Sequence, residues 1–155
     1  TTFDVYLSIV EDQRDEKEEK SALILTGTGK ILFVDDEKSI TQSNKENLEG
    51  LGYDVTIEND PVKALTIFKD SPEYFDMLIT DVSMPKMNGL ELSSKVTSIR
   101  PDLPVILITG YSELVEQRNL SDYGVSDLVY KPVRLPVFAL AIARAFKAAR
   151  TFQHP

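Results

Sequence analysis

Five polar residues stand where short apolar runs end, and their types suit a divalent cation beside a phosphoryl group. Ile31-Leu32-Phe33-Val34 runs into Asp35-Asp36, and Met77-Leu78-Ile79-Thr80 runs into Asp81. Val105-Ile106-Leu107-Ile108 runs into Thr109, and Leu128-Val129-Tyr130 into Lys131-Pro132. Each residue alone has an ordinary explanation. Asp36 could cap a helix, Asp81 could turn the chain before Pro85, Thr109-Gly110 could open a helix, and Lys131-Pro132 could be an exposed turn. The conjunction is harder to dismiss, because four runs end in a suitable polar type. Three carboxylates a few ångströms apart repel by roughly 4 kcal/mol per close pair at an effective dielectric near 20. Such a cluster takes up a proton or a cation. Mg²⁺ suits it as a hard ion that prefers oxygen ligands. Three Asp, one Lys and one Mg²⁺ cancel in formal charge, so a phosphoryl group entering there meets compensating cations while a carboxylate attacks phosphorus.

These groups meet only if the chain folds as alternating strands and helices. Continuously apolar runs of four or five residues separated by helical stretches are the pattern of a buried parallel sheet. The expected strands are 31–34, 54–58, 77–80, 105–108 and 126–130. A helix over 38–51 has Ile40, Leu48 and Leu51 as its buried positions and Gly52 as its stop. Asn59-Asp60-Pro61 opens a second helix striped by Ala64, Leu65 and Phe68. A third covers 89–99, a fourth roughly 112–122, and the last about 134–150, burying Phe138, Ala141, Ile142, Ala145 and Ala149. The fold expected is an α/β, flavodoxin-like, doubly wound five-stranded parallel sheet of order 2-1-3-4-5 with helices on both faces. Its switch point lies between strands one and three, where α/β folds place ligands outside the strands' carboxyl ends. Strand two, which carries no such polar residue, falls at the edge.

Composition narrows the function classes. The 155 residues are 42% hydrophobic, enough for one compact domain with length to spare. A formal net charge of −8 argues against a nucleic-acid-binding surface over the whole molecule. Cysteine is absent, so neither a disulfide framework nor a thiolate site exists, and a cytoplasmic location is expected. No apolar stretch approaches the roughly 20 residues that cross a bilayer, and Asp4 breaks the early apolar segment. Residues 1–10 alternate as a strand would, with Phe3, Val5, Leu7 and Ile9 on one face. Residues 11–20 are almost wholly charged and read as a solvated tether. Thr26-Gly27-Thr28-Gly29 then punctuates the chain, so a domain begins near Lys30. His154 lies in the tail and has no helical scaffold around it.

Residues 30–150 resemble a receiver domain of the two-component response-regulator family. The resemblance rests on Asp35-Asp36-Glu37, on Asp81-Val82-Ser83-Met84-Pro85-Lys86-Met87-Asn88-Gly89, on Thr109-Gly110 and on Lys131-Pro132. It implies that Asp81 is the phosphoacceptor and Asp36 a direct Mg²⁺ ligand, with Asp35 acting through water and the Ser83 backbone carbonyl completing the protein ligands. Thr109 would hydrogen-bond the phosphoryl group and Lys131 would pair with it, aimed inward by a cis peptide before Pro132. Pro85 and Gly89 belong to the same motif. One departure concerns the position three before the Lys, often aromatic in the family and here Leu128, with the aromatic at Tyr130 instead. A relay between Thr109 and an aromatic is thereby placed in doubt. Ser83 and Tyr111 occupy positions that tune phosphate lifetime in the family.

The amino-terminal run Thr1-Thr2-Phe3-Asp4-Val5-Tyr6-Leu7 is similar to the last strand of the ATP-binding domain of histidine kinases. The implied organisation is a kinase remnant at 1–10, a charged linker at 11–29, a receiver at 30–150 and a tail at 151–155. The parent would be a hybrid histidine kinase. The partner implied is a histidine kinase or histidine phosphotransfer domain, in cis or in trans, with a weak homodimer as a further expectation. Neither nucleic acid nor membrane is an expected partner of this fragment. A competing expectation is a receiver joined to a separate output domain. A remoter one is an aspartyl-phosphate phosphatase of haloacid-dehalogenase type, which needs Asp-x-Asp after strand one where this chain has adjacent acids. The cationic residues after Asp127, namely Lys131, Arg134, Arg144, Lys147 and Arg150, fit either a solvated helix face or a docking surface.

Overall fold

The computed structural model describes residues 25–110 and 119–152. The elements in order are β1 (Lys30–Val34), α1 (Lys38–Gly50), β2 (Asp54–Glu58), α2 (Pro61–Asp70), β3 (Met77–Asp81), α3 (Gly89–Ile99), β4 (Val105–Thr109), a 3-10 turn (Leu120–Tyr123), β5 (Asp127–Tyr130) and α4 (Leu135–Phe152). All neighbouring strands pair in parallel, in the order β2-β1-β3-β4-β5. The expected strands and order are thus those found, with ends displaced by a residue. Every residue of β3 and β4 is buried, which is why these strands read as nearly continuous apolar runs up to their polar ends. Among the described residues no helix is long and apolar enough to cross a membrane. The expected strand at 1–10, the charged run at 11–20, Tyr111, most of the helix expected at 112–122, and His154 lie outside the described residues.

Alternation along the strands divides the core into two layers. Ile31, Phe33, Met77, Ile79, Ile106 and Ile108 face one way and pack on Leu48 of α1 and on Phe138, Ile142 and Ala145 of α4. Leu32, Val34, Leu78 and Val105 face the other way, onto Ala64 and Phe68 of α2 and Leu92 and Val96 of α3. Phe33 and Phe138 meet edge to face, 6.4 Å between ring centres. Covering both faces leaves the strand ends as the open edge of the sheet among the described residues.

The helix ends follow their sequence signals, with two adjustments. Asp60 caps α2 by accepting from the N–H groups of Val62 and Lys63, with Pro61 next to it. Asn88 caps α3 by accepting from the Glu91 N–H at 2.9 Å. In α1, however, Ile40 and Leu51 are half-buried rather than buried, and the polar Thr41 is the buried residue of the first turn. Its hydroxyl donates to the Lys38 carbonyl and accepts from Asn59, so burial leaves it satisfied. Ala149 is likewise half-buried, at the frayed end of the stripe on α4.

Candidate functional site

Because β1 and β3 are adjacent, the residue after Val34 and the last residue of β3 come together. Asp35 is 1% exposed and Asp81 4% exposed, both at the carboxyl edge of the sheet. One oxygen of each carboxylate is held by the backbone just beyond it. Asp35 Oδ1 accepts from the Glu37 N–H at 2.9 Å, and Asp81 Oδ2 accepts from the Ser83 N–H at 2.8 Å. These two-residue turns fix the side chains without engaging their other oxygens.

Lys131 spans the second pair of oxygens. Its Nζ lies 2.8 Å from Asp81 Oδ1 and 3.5 Å from Asp35 Oδ2. The longer separation is an ion pair rather than a hydrogen bond. Asp35 Oδ2 is accordingly buried with no hydrogen-bond partner, and so is Thr109 Oγ1 at the end of β4. Such orphaned groups are uncommon in a protein interior and mark places a ligand can satisfy. The Lys131-Pro132 peptide is cis, the isomer that the resemblance implies.

The electrostatics follow the geometry. Burial pushes the Asp35 carboxyl above its ordinary pKa; the Glu37 N–H and the Lys131 charge pull it back, and Asp81 and Asp36 add to the rise. For Lys131, burial favours losing the proton. The hydrogen bond to Asp81 and the charges of Asp35 and Asp81 outweigh that, so its pKa lies above the ordinary value.

Asp36 is exposed, beside this buried pair rather than within it. Among the described residues no three acidic or histidine side chains form a ready-made metal-ligand group. The ammonium of Lys131 stands between the two buried carboxylates, doing in part what a metal ion would do. The donor set nevertheless fits Mg²⁺: hard oxygens only, one of them a buried carboxylate oxygen that lacks a hydrogen-bond partner.

The loop after β3 closes back on the site. Gly89 N–H donates to the Val82 carbonyl at 2.9 Å, and a Cβ at Gly89 would stand 2.2 Å from the Asp81 carbonyl oxygen. The glycine is therefore required by backbone approach, not by its own torsions. Ser83 and Pro85 are exposed along this loop, and Pro132 is exposed beyond Lys131. Leu128 packs among Val82, Leu90 and Leu107, whereas Tyr130 is 59% exposed. No aromatic ring of β5 therefore sits in the place from which the relay would operate.

Sequence reasoning missed two residues that touch the site's framework. Asn59 Nδ2 donates to the Asp35 carbonyl, and Lys86 pairs with Asp60. Asn59 reads as an ordinary turn residue, and Lys86, though inside the motif after β3, gives no signal of its pairing, since Asp60 already had a complete role as a helix cap.

Comparison with known proteins agrees with this arrangement. The family model described as response regulator receiver domain matches residues 31–143. The response regulator MprA of Mycobacterium leprae is 36% identical over 107 residues, 68% of this chain and 46% of its own length. The sensor kinase CckA of Brucella abortus is 29% identical over 151 residues, 92% of this chain but only 16% of its own length. The chain therefore spans less than half of either relative. A crystal structure of a response regulator receiver domain protein from Clostridium thermocellum superposes with a TM-score of 0.74 at 31% identity, covering 79% of this chain and 98% of that one.

Proposed function

The chain belongs to the response regulator receiver family, and from that premise we propose that it accepts a phosphoryl group from a phosphohistidine onto Asp81. A carboxylate oxygen of Asp81 attacks phosphorus, an O–P bond forms, the P–N bond breaks, and the imidazole leaves with its electron pair and takes up a proton. Asp81 is ready for this because its two oxygens are already oriented by Lys131 and the Ser83 N–H. Lys131 offsets charge on the phosphoryl oxygens, and the Thr109 hydroxyl donates to one of them. Asp35, Asp36, Asp81 and the Ser83 carbonyl are the groups that would hold Mg²⁺. When bound, the ion supplies charge compensation for the incoming phosphoryl group. The reading is supported above all by one buried carboxylate, hydrogen-bonded to a lysine at the end of β3, with a buried hydroxyl that has no hydrogen-bond partner at the end of the adjacent β4.

Incubation of the full chain with Mg²⁺ and a small acyl-phosphate donor tests it. The expected outcome is a single phosphoryl mass gain that vanishes in Asp81→Asn. A gain that survives this substitution, or no gain at all, would count against the reading.

We further infer that the chain is the receiver-bearing part of a hybrid histidine kinase. Two observations support this: the similarity of residues 1–7 to a kinase strand, and an alignment with CckA that extends over 151 residues, beyond the receiver match itself. The alignment with MprA covers 107 residues and favours instead a receiver attached to a separate output domain. The parent reading frame upstream of Thr1 distinguishes the two. A Gly-rich ATP lid there supports the kinase, and its absence removes it.

A further inference from the structure

Strand β2 supplies no reacting group, yet the turn after it touches both loops that do. Glu58 Oε1 accepts from the N–H groups of Asn59 and Asp60, at 2.9 and 3.1 Å, which folds the turn tightly. From this turn Asn59 Nδ2 donates to the backbone carbonyl of Asp35 at 2.7 Å and to Thr41 Oγ1 at 3.0 Å. The carbonyl belongs to the peptide that joins Asp35 to Asp36. Asn59 therefore holds the acidic pair by its backbone, using the first turn of α1 as an anchor.

Asp60 reaches the other way. Its Oδ1 caps α2, while its Oδ2 pairs with the Lys86 ammonium. Lys86 lies in the loop 82–88, five residues after Asp81, with φ at +68°. That left-handed conformation is uncommon for a residue bearing a side chain. A partner that holds Lys86 there also holds the loop carrying Ser83.

We infer that Asn59 and Asp60 form a positioning bracket that ties the Asp35-Asp36 peptide to the loop after Asp81 and so sets how tightly the site takes Mg²⁺. The inference rests on the phosphoacceptor reading above and deepens it. Neither residue touches a reacting atom, so both act through the groups they hold, as hydrogen-bonded neighbours of metal ligands commonly do.

Three substitutions in the full chain test this. Asn59→Ala removes both amide hydrogen bonds. Lys86→Asn removes the ion pair with a residue that tolerates the left-handed region. Asp60→Asn keeps a capping oxygen and drops the charge. Two readouts apply: the Mg²⁺-dependent rise in thermal midpoint, which reports binding without phosphorylation, and the rate of Asp81 labelling across a Mg²⁺ titration. In both, Asn59→Ala is expected to raise the Mg²⁺ half-saturation about tenfold. Its rate at saturating Mg²⁺ should stay within about twofold of the parent, since only binding is weakened. Lys86→Asn and Asp60→Asn should each raise the half-saturation roughly two- to fivefold, as befits an exposed pair. The double variant should be no worse than either single one, because the pair acts as one unit.

Variants that lower the midpoint in Mg²⁺-free buffer but leave the half-saturation unchanged overturn the bracket. So does a Lys86→Asn chain that labels slowly while Asp60→Asn labels normally, because the lysine would then act alone. A parent chain that binds Mg²⁺ yet gains no phosphoryl group defeats the phosphoacceptor reading and leaves the binding test standing. A parent chain whose midpoint ignores Mg²⁺ overturns both.

Discussion

The two ends of the sheet treat their polar groups in opposite ways. At the amino ends of the strands, Arg100 Nη1 donates to the carbonyls of Pro72 and Phe75, and its Nε lies 3.5 Å from Asp102. The Lys30 N–H donates to Asp76 Oδ2 at 2.8 Å, and its ammonium sits 4.0 Å from the centre of the Tyr74 ring. Ser126 Oγ accepts from the Val105 N–H at 3.1 Å. At the carboxyl ends, by contrast, stand both buried side-chain atoms that lack a hydrogen-bond partner among the described residues, Asp35 Oδ2 and Thr109 Oγ1. One pole is stitched together for stability. The other is left incomplete, and an incomplete buried site costs stability unless something fills it.

The contrast is broken most severely by Lys131→Met. This variant strands two buried carboxylates, and removing one partner of a buried ion pair is strongly destabilising. The lysine is partly exposed, so the expected loss without Mg²⁺ is on the order of 3 kcal/mol, at the low end for such pairs. Urea unfolding with and without Mg²⁺ should recover part of that loss when the ion is present. A loss that Mg²⁺ leaves untouched would mean that the carboxylates and the cation do not share a site.

Two smaller effects sharpen the comparison from either side. Gly89→Ala forces a methyl group against the Asp81 carbonyl, and overpacking of this kind costs about 2 kcal/mol. Because the displaced backbone carries Asp81, labelling by an acyl phosphate should fall along with stability. At the opposite pole Arg100→Ala should cost about 1–2 kcal/mol through the carbonyls it abandons. Neither its Mg²⁺ half-saturation nor its labelling rate should move. If Arg100→Ala impairs labelling as much as Gly89→Ala does, the two poles are not independent.

How far the sequence could be read follows from which contacts are local. The strands were legible because β3 and β4 are buried on both faces, which leaves buried Thr80 as the single polar residue ahead of Asp81 in β3 and none ahead of Thr109 in β4. Asp60-Pro61 announced α2 because capping is settled within four residues. Thr41 was misjudged in favour of Ile40 because a hydroxyl that finds partners at Lys38 and Asn59 can be buried, and apolar periodicity is blind to that. The same holds for Lys86. Its positive φ lies in a turn closed by the Met87 N–H to the Pro85 carbonyl at 2.8 Å, but its side-chain partner Asp60 is 26 positions away, and no local pattern encodes that pairing. Asp35 and Asp81 were visible as types at strand ends. That Lys131 would separate them, with Asp36 left in solvent, depends on side-chain directions that only the folded sheet defines.

The subtlest prediction concerns the pH dependence that the incomplete pole imposes. Burial holds the pKa of Asp35 above its ordinary value, against the pull of the Glu37 N–H and Lys131. Between the ordinary and the raised value the folded chain therefore binds more protons than the unfolded chain. Linkage then makes this group's contribution to stability fall as pH rises through that window, with the penalty complete above the folded value. Asp35→Asn carries no such charge, so it should be more stable than the parent at neutral pH without Mg²⁺, and the gap should close as the pH is lowered towards the ordinary carboxylate range. Other carboxylates titrate in both proteins, so the difference between the two urea-midpoint curves is the quantity to follow. Mg²⁺ should close the gap at neutral pH as well, by adding compensating charge beside Asp35 Oδ2, which has no hydrogen-bond partner, while the Asn variant should respond far less to the ion. Parallel curves for parent and variant would show that the buried carboxylate carries no penalty, and with it would go the view that this pole is kept incomplete for a ligand.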